Sequence, residues 1–221
     1  MTITFSNITK SYNDTVIVNN WGMTLVPGTI YGILGKNGTG KTTLLKLLSG
    51  LVSDDSNQRL SLFHEVYCPI GIHIEQPRLY PFLSGEHNLR IFTADLPESH
   101  CTLDDLTQAL QLKPFLKKKV KTYSLGTKQK LSLVISMMMA NRMLLLDEPT
   151  NGLDEDSVTA LKSILLDITR QYGVIVIITT HDLAELHEVI DQPLKLSGGK
   201  LEPVTFTILE HEASVRGVSR E

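Results

Sequence analysis

The chain has 221 residues, of which 42% are apolar and 20% charged, and it carries a net charge of −3. That length suits one hydrophobic core rather than two, and the slightly acidic balance excludes the strong basic excess of a nucleic-acid-binding surface. The longest apolar stretches, Met143–Leu146 and Val174–Ile178, fall far short of the ~20 residues that cross a membrane, so any work at a membrane has to pass through a partner.

Met1 to Lys10 lacks a charged segment followed by an apolar run, so no signal peptide is expected. Ile3, Phe5 and Ile8 read as one strand and Val16-Ile17-Val18 as another, with a polar turn at Asn13-Asp14 between them. Pro27-Gly28 marks a turn before a buried strand at Ile30–Leu34, which runs directly into a glycine-rich loop. From Lys41 to Leu51 the period is helical, with Leu44, Leu45, Leu47, Leu48 and Leu51 apolar and Gly50 near the end.

Glu86 to Met139 is mostly helical by pattern, interrupted at Pro97 and Pro114. Thr102 or Asp104 can cap the run Leu106 to Leu112, and Ser124 or Thr127 the run Lys130 to Met139. Met143–Leu146 and Val174–Ile178 read as strands joined by a helix over Glu155 to Tyr172, the pattern of a parallel crossover. Ser197-Gly198-Gly199 then reads as a turn, followed by a strand. A single domain over residues 1–210 and a mobile tail over 211–221 are expected. Cys68 and Cys101 have neither pairing nor metal-ligand spacing, and read as buried thiols in a reducing compartment. His64, His73, His87 and His100 form no metal-ligand pattern, Met137-Met138-Met139 reads as core packing, and Lys117-Lys118-Lys119 with Lys121 as a solvated face.

Chemistry enters at Gly35-Lys36-Asn37-Gly38-Thr39-Gly40-Lys41-Thr42, which fits G-x-x-x-x-G-K-[ST] at every position, with a strand before it and a helix after. Glycines let backbone amides curl around phosphate oxygens, and the helix adds its positive end. The candidate nucleotide-binding residues are Gly35, Asn37, Gly38, Thr39, Gly40, Lys41, Thr42 and Thr43. Lys41 is set to reach the β- and γ-phosphates and Thr42 to offer its hydroxyl to Mg²⁺. Further along, Leu144-Leu145-Leu146 ends in Asp147-Glu148. Chemistry in an open parallel sheet gathers at the carboxyl ends of strands. Asp147 is therefore a candidate for holding Mg²⁺, and Glu148 for polarising the water that attacks the γ-phosphate.

With these elements in place, the chain resembles the ATPase subunits of ABC transporters over about residues 1–200. The discriminating piece is Tyr123-Ser124-Leu125-Gly126-Thr127-Lys128-Gln129-Lys130, which is similar to the family signature L-S-G-G-Q. The resemblance implies that Ser124, Gly126 and the helix amides of one subunit cap the γ-phosphate held by another. It also implies that Tyr12 stacks on adenine, that Asn151-Gly152-Leu153-Asp154 is a dimer-contact loop, and that His181 contacts the γ-phosphate and orients the water. The implied fold is an α/β P-loop core with a mostly parallel sheet, a small N-terminal antiparallel β subdomain, and a helical subdomain inserted at about 76–136.

Two departures stand out. Leu125 replaces a glycine in the signature, adding bulk near the nucleotide. In Ile70-Gly71-Ile72-His73-Ile74-Glu75-Gln76-Pro77, the family's metal- and water-contacting glutamine falls on Glu75 when counted from Gly71 and Pro77, and on Gln76 with a slip of one residue. Glu75 is favoured, because Pro77-Arg78-Leu79-Tyr80-Pro81 then aligns with the family's E-P-x-x-Y-P run, and it becomes a candidate catalytic and metal-contacting residue.

This glutamate and the signature together resemble the ATPases of lantibiotic and bacteriocin self-protection exporters. That resemblance implies ATP and Mg²⁺ as cofactors, separately encoded transmembrane permease subunits as partners, and an ATP-sandwich dimer with itself or a paralogue, with no nucleic acid. The implied place is the cytoplasmic face of the cell membrane, held there through the permease. The competing readings are an ATPase of another exporter, such as a drug exporter, a non-transport ABC ATPase, and a slow nucleotide switch.

Overall fold

The computed structural model describes residues 2–13, 15–56, 70–74, 78–94, 96, 99–181 and 185–205. Two strands, β1 (Ile3–Tyr12) and β2 (Thr15–Leu25), pair antiparallel as a ribbon. Phe5, Ile8, Val18, Trp21 and Leu25 give the ribbon one buried face, on which the Phe5 and Trp21 rings stack. The remaining strands are β3 (Ile30–Leu34), β4 (Ile70–His73), β5 (Met143–Asp147), β6 (Ile175–Thr180), β7 (Gln192–Ser197) and β8 (Lys200–Pro203). They form one sheet in the order β4-β5-β6-β3-β7-β8, parallel throughout except for the β7–β8 hairpin.

The central strands are apolar on both faces, as a sheet covered on two sides requires. Leu144, Leu146, Val176 and Ile178 face a core shared with α4 (Leu125–Met139) and α5 (Glu155–Tyr172). Met143, Leu145, Ile175 and Ile177 face a second core shared with the ribbon and α1 (Lys41–Leu48). Two short helices, α2 (Gly85–Thr93) and α3 (Leu103–Ala109), pack with α4 to make the helical part of the chain. No helix among the described residues is long and apolar enough to cross a membrane.

The boundaries move where local hydrogen bonding outweighs apolar period. Helix α1 stops at Leu48 rather than Leu51, because Ser49 caps it and Gly50 turns left-handed (φ +68°). Thr102, not Asp104, caps α3, and Ser124, not Thr127, caps α4, so α4 begins at Leu125 rather than Lys130. Strands β4 and β7 go unannounced in the sequence. Gly71 and His73 dilute the first and Pro193 the second, and each owes its extended form to a neighbour, β5 and β3 respectively. Cys101 is half-buried rather than buried, while Cys68 and the 211–221 tail lie outside the described residues.

The register brings function to one edge. Leu34 pairs with Thr180, and Asp147 with Thr179, so the loops leaving β3, β5 and β6 open side by side.

Candidate active site

The phosphate loop leaves β3 after Leu34 and enters α1 at Lys41. It folds on itself, with the Thr39 hydroxyl donating to the Lys36 carbonyl at 2.8 Å and the Thr39 amide at 3.2 Å. Gly40 precedes the helix at φ +101°, a left-handed conformation that costs glycine little. The Leu44 amide bonds back to the Gly40 carbonyl at 2.9 Å. The amides of Lys41, Thr42 and Thr43 belong to the open first turn, where an anion is favoured. Asn37 and Gly38 are exposed at the tip of the loop.

Lys41 is buried, and its Nζ donates to the Gly35 carbonyl at 2.8 Å and lies 3.3 Å from Glu148 Oε1. The Thr42 hydroxyl donates to Asp147 Oδ2 at 2.7 Å, and the Thr179 hydroxyl donates to Asp147 Oδ1. The hydroxyl and carboxylate oxygens of Thr42 and Asp147 are the donor set a hard divalent cation prefers.

Glu148 adopts φ +46°, a turn that carries the chain away from β5. Its amide donates to the Thr179 carbonyl at 3.1 Å and lies 3.2 Å from the Thr179 hydroxyl. Its Oε2 accepts from Asn151 Nδ2 at 2.7 Å and lies 3.6 Å from His181 Nδ1. Burial pushes the Glu148 carboxyl up, but the hydrogen bonds from Asn151 and Lys41 and the charges of Lys41 and His181 outweigh that and hold it below the ordinary glutamate range. Glu148 is thus a carboxylate at neutral pH, able to orient and polarise a water. The structure brings Lys41, Thr42, Asp147, Glu148 and His181 together.

Tyr12 ends β1, half-exposed, with Lys10 Nζ 5.3 Å from its ring centre. Ile17 of β2 lies where a side chain on Gly40 would point, so the ribbon borders the phosphate loop. Among the described residues no hydrogen bond joins Ser124 or Gly126 to the phosphate loop of the same chain. Ser124 Oγ instead accepts from the Thr127 amide at 3.1 Å, and Leu125 beside it is 64% exposed. Glu75, and Gln76 with it, lie outside the described residues.

Sequence reasoning missed Thr179, whose hydroxyl and carbonyl serve both acids; the available signal was a hydroxyl at the end of an otherwise apolar strand. It also missed a tie between the start of α4 and the loop Asn151–Asp154. Lys130 Nζ lies 2.7 Å from Asp154 Oδ2, and a side chain on Gly126 would come within 2.5 Å of the Gly152 carbonyl. Hydrogen bonds from Lys130 and Ser157 hold the Asp154 carboxyl far below the usual range while it caps α5. Because Asp154 is exposed to water, Lys130→Met is expected to lower unfolding free energy by no more than about 1 kcal/mol in a urea titration. Asp154→Asn should cost less than Asp154→Ala, because asparagine still caps the helix.

The ABC transporter family matches residues 18–151. The lantibiotic transport ATP-binding protein SrtF of Streptococcus pyogenes is 36% identical over 189 residues, covering 84% of this chain and 82% of that protein. The bacitracin transport ATP-binding protein BcrA of Enterococcus faecalis is 35% identical over 195 residues, covering 84% of this chain and 63% of that protein. The solved ATP-binding subunit of an ABC transporter superposes with a TM-score of 0.80 at 23% identity, over 97% of this chain and 94% of that one. A dimeric ATP-binding cassette in a post-hydrolysis state, bound to ADP and Pi, gives a TM-score of 0.75 at 19% identity, over 91% of this chain and 97% of that one. The chain belongs to the ABC transporter family, as an ATP-binding and ATP-hydrolysing subunit.

Proposed function

We propose that this subunit drives the export of an antimicrobial peptide, as the motor of a self-protection transporter. The observation that carries the motor chemistry is the meeting of Lys41, Thr42, Asp147, Glu148 and His181 at one edge of the sheet. In this reading Lys41 and the loop amides hold the phosphates of ATP, Tyr12 stacks on adenine, and Glu148 polarises the attacking water with His181 beside it. Thr42 and Asp147 would hold Mg²⁺, and Glu75, outside the described residues, is proposed as a further metal- and water-contacting residue. When bound, Mg²⁺ supplies charge neutralisation on the β- and γ-phosphates.

Ser124 and Gly126 act on a second subunit, a copy or a paralogue, capping its γ-phosphate in an ATP sandwich. That neither bonds the phosphate loop of its own chain, among the described residues, supports this. Residues 1–210 form the single ATPase domain, with the helical subdomain at about 76–136. The permease is met there: Tyr80, Phe82, Leu83 and Ile91 are exposed apolar residues, and Asn88 anchors the segment by bonding the Tyr80 amide at 2.7 Å and the Ser84 carbonyl at 2.9 Å. Through the permease the subunit sits on the cytoplasmic face of the membrane.

The cargo is a membrane-active peptide of the kind named in the lantibiotic and bacitracin transport relatives. The test is a deletion of this gene in its native host. Susceptibility to a lantibiotic or to bacitracin should rise, and the wild-type gene, but not the Glu148→Gln form, should restore it. Unchanged peptide susceptibility with increased sensitivity to small-molecule drugs would move the cargo to another class.

A further inference from the structure

His73 takes no part in the chemistry above, yet it sits at the join between the helical part of the chain and the acid-bearing strand. It ends β4, opposite Leu146 and one residue short of Asp147 in register. Only 1% of it is exposed. Its Nδ1 lies 2.9 Å from the Ser132 hydroxyl on α4. Its Nε2 is enclosed and has no hydrogen-bond partner among the described residues. Burial pushes the imidazole down to about 4, against the opposing pull of the Asp147 charge and the Gln129 side chain. What it offers in this contact is a directional hydrogen bond.

The contact it makes is otherwise smooth. A side chain on Gly71 would come within 2.1 Å of the Ser136 carbonyl and 2.9 Å of the Ala140 Cβ, so α4 lies on β4 almost backbone to backbone. Gln129, Ser132, Ser136 and Ala140 follow one another at spacings of three and four residues and so share a helix face. Within that face the His73–Ser132 hydrogen bond is a directional tie between the two elements. Helix α4 begins at the signature residues Ser124 and Gly126, and β4 leads toward position 75. Leucine would fill the imidazole's space with no polar atom to satisfy, so packing alone does not call for histidine here.

We infer that His73 is a positioning residue for ATP hydrolysis: with Ser132 it sets the register of the signature helix against the strand beside Asp147. The inference rests on the ATP-sandwich reading, in which the signature residues act on a second subunit's nucleotide. The phosphate loop leaves β3, which β5 and β6 separate from β4 in the sheet, so nucleotide binding is expected to survive the loss of this contact.

The test compares His73→Leu, Ser132→Ala, the double variant and His73→Asn with the wild-type chain, by steady-state ATP turnover and by melting temperature without nucleotide. Asparagine keeps a polar atom near the place of Nδ1. His73→Leu should melt at or above the wild-type temperature and keep its KM for ATP, while kcat falls about three- to tenfold, the range of one hydrogen bond. Ser132→Ala should lower kcat similarly, the double variant should lose no more than either single one, and His73→Asn should recover most of the rate. An unchanged kcat in His73→Leu overturns the inference, and so does a kcat loss that tracks a lowered melting temperature and that asparagine does not restore. A wild-type chain without ATP turnover would instead overturn the hydrolytic reading itself.

Discussion

Glutamine in place of Glu148 is expected to lower ATP turnover by about 10²- to 10⁴-fold, the usual contribution of a general base, while nucleotide binding survives. The substitution preserves shape and leaves an oxygen to accept the Asn151 amide, which now bonds Oε2 at 2.7 Å. It removes the charge facing Lys41 Nζ at 3.3 Å and the repulsion between a carboxylate and the γ-phosphate. ATP then binds without being consumed, and two subunits should remain closed around it. Steady-state turnover, together with size-exclusion chromatography in ATP and Mg²⁺, checks both parts. Turnover within a few-fold of wild type would take the water-polarising role away from Glu148, and a variant that stays monomeric would count against the sandwich.

Methionine in place of Lys41 is expected to act earlier, at binding. The lysine side chain is 6% exposed and lies between the Gly35 carbonyl and Glu148, so it is already in the loop before any phosphate arrives. Methionine fills a similar volume, and the fold should persist with little change in melting temperature. What goes is the positive charge inside the phosphate loop. A loss of about 10²- to 10³-fold in turnover follows from removing one such preorganised group. Because the same group touches the ground state, ATP affinity should fall as well. A fluorescent ATP analogue separates the two substitutions: Glu148→Gln should bind it and Lys41→Met should not at comparable concentrations. Normal binding by Lys41→Met would mean that the loop amides alone hold the nucleotide.

What was legible in the sequence shares one property: it is written in neighbouring residues. The phosphate loop, the acid pair and the signature are each contiguous, and each needs its strand or helix only immediately beside it. Glycines at Gly35, Gly38 and Gly40, a lysine at the helix start and acids at a strand end specify local backbone and charge whatever the rest of the chain does. The family they resemble implied a mostly parallel sheet, and the sheet has that form.

The rest depends on residues far apart in sequence, and only folding decides it. β4 is extended because β5 pairs with it, although its own Gly71 and His73 argue weakly for a strand. Thr179 becomes a partner of Asp147 because β6 lies beside β5 in that register. Lys41 meets Glu148 across more than a hundred positions of chain, and Lys130 meets Asp154 through the packing of the signature helix on the loop after the acids. His73, which the sequence offers only as an isolated histidine, becomes a buried link to Ser132 because a glycine at position 71 lets α4 rest on the strand. Contiguous residues alone thus point to a phosphate-binding loop and to an acid pair at the end of a neighbouring strand. Which groups hold Glu148 ionised, and how the signature helix meets the strand beside Asp147, follow from strand register and helix packing, because the partners lie far apart in the chain.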